Sequence, residues 1–394
     1  MTPAAVNKKD NSKTIETMKL KFPFLDLKSQ FATIRDEVLT AVSGVLESQQ
    51  FILGPQVKEF EGEIAAKLGA KFAIGCASGT DALILALMAA GIGPGDAVIT
   101  TPFSFVATAG AIAQVGARPV FVDIEAASFN IDPTKIEAAI TPKTRAIVPV
   151  HLFGLPADLS PILGIARRRK QLVIEDAAQA IGAGYNGKFA GTMGDFGCFS
   201  FFPSKNLGAA GDGGLITTND ATMAERLRMI RVHGSKSKYL HEIQGINSRL
   251  DALQAAILRV KLRHLDGWAE GRAKRAERYQ KLFDEKGLAR FVRCPAVPSP
   301  EFHHVYNQFT IRAERRDELK DSLLKNGIPC EIYYPLCLHL QKAFSGLGYR
   351  SGQMPIAEKA SEEVLSLPVF PELTDEQQDA VVEGIAEFYL ARKN

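Results

Sequence analysis

The chain has 394 residues, 46% hydrophobic and 23% charged, a balance that excludes a disordered or fibrous protein and allows two or three domains with a large core. Its net charge of +3 sits wholly in the N-terminal lead, where Lys8, Lys9, Lys13, Lys19 and Lys21 oppose only Asp10 and Glu16, so a long basic stripe for nucleic acid is disfavoured. Five cysteines (Cys76, Cys198, Cys294, Cys330, Cys337) without CxxC spacing argue against a zinc module or disulfide framework. No signal-peptide pattern is present, and the most apolar helix candidate, Ala82 to Ala90, is too short to span a bilayer. A cytoplasmic globular protein with no membrane partner is expected.

Residues 1–20 read as a disordered, lysine-rich lead. From about residue 72 to 220, short apolar runs alternate with helical stretches. The runs are Phe72–Cys76, Ala97–Thr100, Pro119–Val122, Ala146–Val150, Leu172–Glu175, Gly197–Phe202 and Gly214–Thr217. Several are apolar on both faces, as strands buried between helix layers must be, which argues an α/β fold with a mostly parallel sheet. Its ligand crevice then lies beyond the carboxyl ends of the strands. Ser78-Gly79-Thr80-Asp81 has a capping-box pattern and starts a helix that Gly91 stops. Ser248-Arg249-Leu250-Asp251 is expected to open a second, long helix. The prolines at 295, 298 and 300 mark a loop after it. A boundary near 265–275 divides a large domain, 21–270, from a smaller C-terminal α+β domain, 271–394.

Four motifs fall beside the expected strand ends. Gly182-Ala183-Gly184-Tyr185-Asn186-Gly187 is formally GxGxxG, but no helix pattern follows and Asn186-Gly187 is a hairpin signal, so it reads as a turn. Ser78-Gly79-Thr80 offers backbone N–H groups and a hydroxyl to a phosphate, or is simply a capped helix start. Glu175-Asp176 places two acids at a strand end where both are expected to face the crevice, unless one only caps the next helix. Lys205 follows an apolar strand among glycine-rich loops, and desolvation there would make its amine a nucleophile. Pyridoxal phosphate needs a lysine for its aldehyde, a carboxylate for its ring nitrogen and donors for its phosphate. Lys205, Asp176 and the pair Thr80/Ser200 supply all three.

These motifs, with Ile52-Leu53-Gly54-Pro55, Phe103-Ser104-Phe105-Val106-Ala107-Thr108, Glu175-Asp176-Ala177-Ala178-Gln179, Ser200-Phe201-Phe202-Pro203-Ser204-Lys205 and Gly245-Ile246-Asn247-Ser248-Arg249, make the chain similar to the DegT/StrS family of sugar aminotransferases. That family belongs to the aspartate-aminotransferase (fold type I) superfamily. The resemblance runs from about Phe22 to the C-terminal region. It implies that Lys205 binds pyridoxal 5'-phosphate covalently and Asp176 partners the ring nitrogen. Gln179 would bond the phenolic oxygen and Phe105 would stack on the ring. Gly79, Thr80 and Ser200 would hold the phosphate, with Asn247 reaching it from a second subunit, which implies a homodimer with shared active sites. The ordinary reading of Asn247 is a helix N-cap, and that of Phe105 is core packing.

The stretch Ile332-Tyr333-Tyr334-Pro335 resembles the family's substrate-facing segment. Many members have His-Tyr-Pro there, and the tyrosine version leans toward amination at C3. Tyr333 and Tyr334 would contact nucleotide and sugar, and Arg249 the diphosphate, unless Arg249 is a surface charge paired with Asp251 or Glu242. The implied activity is transfer of the amino group of L-glutamate to a UDP- or dTDP-linked keto-deoxysugar, for glycan, O-antigen or glycosylated-metabolite synthesis. Two alternatives remain. One is a nucleotide-sugar dehydratase, disfavoured because Lys205 is kept and no iron–sulfur spacing is present; the other is a non-catalytic pyridoxal-phosphate-binding regulator.

Overall fold

Alternating side chains of the central strands are apolar in both directions, and the chain covers both faces with helices. The computed structural model describes residues 20–390, so the expected lead falls, apart from Leu20, outside the described residues. After α1 (Leu27–Ser48) and α2 (Gly54–Leu68) come β1 (Phe72–Cys76), α3 (Gly79–Ala89), β2 (Ala97–Thr100), α4 (Ala107–Gln114), β3 (Arg118–Phe121), β4 (Thr144–Ile147) and β5 (Leu172–Asp176). A hairpin, β6 (Gly184–Tyr185) and β7 (Lys188–Phe189), precedes β8 (Phe196–Ser200) and β9 (Gly214–Thr218).

Seven of these strands form one sheet in the order β1-β9-β8-β5-β4-β2-β3. All run parallel except β9, which is antiparallel to both neighbours. Ile74, Cys198 and Ile216 pack on one face with α3, whereas Ala73, Phe199 and Leu215 pack on the other with α2. This two-sided burial is what a mostly parallel sheet requires. The strands differ from the sequence expectation mainly at their ends. β4 stops at Ile147, although the Val148 N–H still bonds the Ile99 carbonyl (2.7 Å) and the Asp176 N–H the Pro149 carbonyl (2.9 Å), and an isolated bridge joins Val150 to Asp176.

Gly182–Gly187 forms a tight hairpin. Asn186 and Gly187 both take positive φ, 50° and 72°, and Gly184 pairs with Phe189 across the turn.

Beyond β9, the expected helix start at Ser248 moves to Ala252, with Asp251 at the cap position. The Ser248 hydroxyl instead accepts a hydrogen bond from the Ala77 N–H (3.2 Å), a contact made only across the fold. The helix Leu265–Glu285 runs unbroken across 265–275. Its later residues pack with a three-stranded antiparallel sheet of Val292–Arg293, Phe309–Ala313 and Val364–Leu367. Among the described residues, no helix is long and apolar enough to cross a membrane.

Candidate active site

The carboxyl ends of β1, β5 and β8 open onto a cavity of about 670 Å3. Ser78 caps α3, its hydroxyl accepting from the Asp81 N–H at 3.1 Å, and this turns the first N–H groups of the helix toward the cavity. Gly79 lies so close to β8 that a Cβ there would come within 2.6 Å of Ser200 Cβ. Glycine therefore brings Thr80 and Ser200 to one end of the cavity. The Thr80 hydroxyl makes no hydrogen bond among the described residues, and Ser200 Oγ accepts only from the Phe202 N–H (3.3 Å). A helix N-terminus with two available hydroxyls suits a phosphate.

Asp176 ends β5 and is buried. Its Oδ2 accepts from the Thr108 hydroxyl at 2.7 Å and its Oδ1 from the Ala178 N–H at 3.1 Å. Burial pushes its pKa above the ordinary 3.8, against the pull of the Thr108 and Ala178 hydrogen bonds and the nearby Lys205 and His151. The side-chain amine of Lys205, in the loop after β8, makes no ion pair or hydrogen bond among the described residues. Burial lowers its amine to about 8, partly offset by the charge of Asp176. A lysine amine of depressed pKa and a desolvated carboxylate thus face one cavity.

Phe105, after β2, is not core: it is 57% exposed and its ring centroid lies 6.4 Å from that of Tyr334. Gln179 takes the Phe153 N–H on Oε1 (2.7 Å) and donates from Nε2 to the Tyr334 hydroxyl (3.1 Å). The amide keeps one N–H for a ligand. Tyr333 and Tyr334 also line the cavity.

One expectation needs correction. Glu175 does not face the cavity. Neighbouring strand residues point to opposite sides, and the Glu175 carboxylate binds the N–H groups of Gly191 (2.7 Å), Met193 (2.7 Å) and Gly194 (2.6 Å) and His151 Nε2 (2.8 Å). Asn247 is exposed, bridged through its backbone to Val232 and not a helix cap; it lies off its own subunit's cavity, as the expectation that it serves a second subunit allows. Arg249 does not line the cavity of its own subunit, and among the described residues it pairs with neither Asp251 nor Glu242. Sequence reasoning passed over Thr108, although it quoted the motif containing it, because the contact with Asp176 spans 68 residues and leaves no local signal.

A model of the DegT/DnrJ/EryC1/StrS aminotransferase family matches residues 32–386. A protein of Geobacillus stearothermophilus named a pleiotropic regulatory protein is 55% identical over 94% of this chain and 99% of its own length. A UDP-N-acetyl-3-dehydro-alpha-D-glucosamine 3-aminotransferase of Acidithiobacillus ferrooxidans is 49% identical over 92% of this chain and 96% of its own. The crystal structure of S. venezuelae DesV in complex with a ketimine intermediate superimposes with a TM-score of 0.90 at 43% identity, covering 94% of this chain and 99% of that one. The fold, the order of the strand-end motifs and the match over nearly the whole length agree: the chain belongs to the DegT/DnrJ/EryC1/StrS aminotransferase family.

Proposed function

We propose that this protein transfers the amino group of L-glutamate to the C3 keto carbon of a UDP- or dTDP-linked keto-deoxysugar, using pyridoxal 5'-phosphate. The observation that carries this reading is the convergence of Lys205, Asp176 and the Gly79/Thr80/Ser200 end on one cavity, with the lysine amine drawn down to about 8. The donor set fits the cofactor. Lys205 would hold its aldehyde carbon, Asp176 its ring nitrogen, Gln179 its phenolic oxygen, and Gly79, Thr80 and Ser200 its phosphate. Phe105 would cover one ring face. When bound, pyridoxal phosphate supplies the electron sink that lets a proton leave the carbon bearing the amine. Lys205 would then be the base that takes that proton and returns it, because desolvation draws its pKa down to about 8 and frees far more neutral amine than an ordinary lysine offers. The buried carboxylate of Asp176 stabilises positive charge facing it.

Amination at C3 follows the 3-aminotransferase name of the Acidithiobacillus relative and the Tyr333-Tyr334-Pro335 sequence. Tyr333, Tyr334 and Arg249 are assigned to the nucleotide sugar. A homodimer with shared sites is part of the proposal: Leu39, Leu46, Ile52, Tyr239 and Leu240 are exposed apolar side chains, which a second copy would cover. Asn247, exposed on the segment that carries Tyr239, would then reach the phosphate of the other subunit. The proposal places the enzyme in the cytoplasm.

The test is incubation with glutamate and a panel of UDP- and dTDP-linked 3-keto and 4-keto sugars, read by product mass. An amino sugar from a 3-keto substrate is the expected result, and a dehydrated product without nitrogen would overturn the reading. The Geobacillus relative favours a second reading, a regulator that binds the cofactor without turnover. That reading requires glutamate to leave the absorbance of the bound cofactor unchanged.

A further inference from the structure

The floor of the cavity contains a hydroxyl pair that the proposed chemistry leaves without a part. Thr108, in the first turn of α4, is 1% exposed; Ser104, four residues earlier, is 2% exposed. Their oxygens are 3.0 Å apart. Thr108 Oγ1 lies 2.7 Å from Asp176 Oδ2. Ser104 Oγ donates to the Phe105 carbonyl at 2.9 Å, whereas Thr108 Oγ1 is 3.4 Å from the same carbonyl. The carboxylate of Asp176, the two hydroxyls and the backbone of Phe105 therefore form one continuous chain.

Proton counting shows what the chain favours. An ionised Asp176 only accepts, so Thr108 must give it its single hydrogen, and Ser104 shares its own between Thr108 and the Phe105 carbonyl. A protonated Asp176 reverses the order, with Thr108 accepting from the carboxyl and donating to Ser104. Both orders satisfy every hydrogen, but the first contains a short bond to a charged acceptor, the stronger kind. The other groups facing Asp176 are the Ala178 N–H, the Lys205 amine, the His151 ring, the Cys198 thiol and the Tyr334 hydroxyl. The His151 ring proton is committed elsewhere: Nδ1 accepts from the Ala157 N–H (3.0 Å), leaving Nε2 to donate to Glu175. In the absence of ligand, Thr108 is thus the one side chain that donates a hydrogen bond to Asp176 among the described residues.

We propose that Thr108 is a positioning residue for Asp176: with Ser104 behind it, its hydroxyl fixes Oδ2 and holds the carboxylate in the charged form that a protonated ring nitrogen requires. The inference rests on the reading of the cavity as a pyridoxal phosphate site. Thr108 touches neither the reacting carbon nor Lys205 in this role; it acts through Asp176, and through the Phe105 carbonyl it keeps that carboxylate in register with the ring that would cover the cofactor.

The test compares two ligands on intact protein, pyridoxal phosphate and its deaza analogue, in which a C–H replaces the ring nitrogen. Binding is measured by absorbance titration. Thr108→Val should weaken pyridoxal phosphate roughly tenfold, the scale of removing one donor from a buried charged acceptor. It should leave the analogue's affinity unchanged, and Thr108→Ser should restore the wild-type value. Ser104→Ala should shift the same preference in the same direction by less, and keeps the proposal testable if Thr108→Val fails to fold. Equal weakening of both ligands, or of neither, overturns the positioning role. Failure of the wild type to bind pyridoxal phosphate would instead overturn the reading of the cavity, so the two failures are distinguishable.

Discussion

The carboxyl end of β5 carries one buried carboxylate toward each side of the sheet. On one side, Glu175 has four donors, three backbone N–H groups and a histidine, and no contact with open space. On the other, Asp176 has two donors and faces a cavity. The difference separates scaffold from site. A buried charge whose lone pairs are filled within the chain locks a loop, here 191–194, while one left short of partners is primed for a ligand that brings positive charge.

The contrast can be broken at several points. Lys205→Ala should have the largest effect, abolishing amino transfer in the product-mass assay, because it would remove both the proposed covalent anchor and the proposed base. Asp176→Asn should lower kcat/KM by roughly 10²–10³-fold. It should leave the ligand-free protein no less stable: burial raises the folded pKa of this carboxyl, so above that pKa its charge opposes folding, and asparagine removes the opposition. Glu175→Gln should do the reverse. Its amide turns a donor toward the N–H groups of the 191–194 loop, and denaturant unfolding should report a loss of about 3 kcal/mol. Kinetics of the folded fraction should change far less than in Asp176→Asn. Loss of stability in Asp176→Asn equal to that in Glu175→Gln would erase the distinction.

Smaller effects sharpen it. Cofactor uptake needs the neutral amine, so its rate should rise about tenfold per pH unit and level off near pH 8, where an ordinary lysine would still be climbing past pH 10. Stopped-flow absorbance reads this directly. Arg249→Ala should raise KM for the nucleotide sugar several-fold with kcat unchanged, the signature of lost uniform binding.

Much of this was legible in the sequence. The strands lie within about three residues of their expected ends, since two-sided apolar runs leave few other placements, and the residues named for cofactor chemistry from Gly79 to Lys205 line one cavity. The orientation of Glu175 was legible too, through the two-residue period of a strand, had it been applied to adjacent acids. The partner of Asp176 was not, because Thr108 reaches it only once β2 and β5 lie in the same sheet. Nor was the true start of the helix at Ala252. A serine in a capping position reads as a cap until the fold brings Ala77 to its hydroxyl.

The turn that imitates a nucleotide fingerprint has a consequence for solubility. Its strand Gly184–Tyr185 is hydrogen-bonded on both sides, to Lys188–Phe189 and to Phe302–His303. Each outer edge of this small sheet is therefore two residues long, and one of them presents the exposed Lys188. So short and charged an edge offers another chain almost no template, and the hairpin protects the protein against edge-to-edge aggregation.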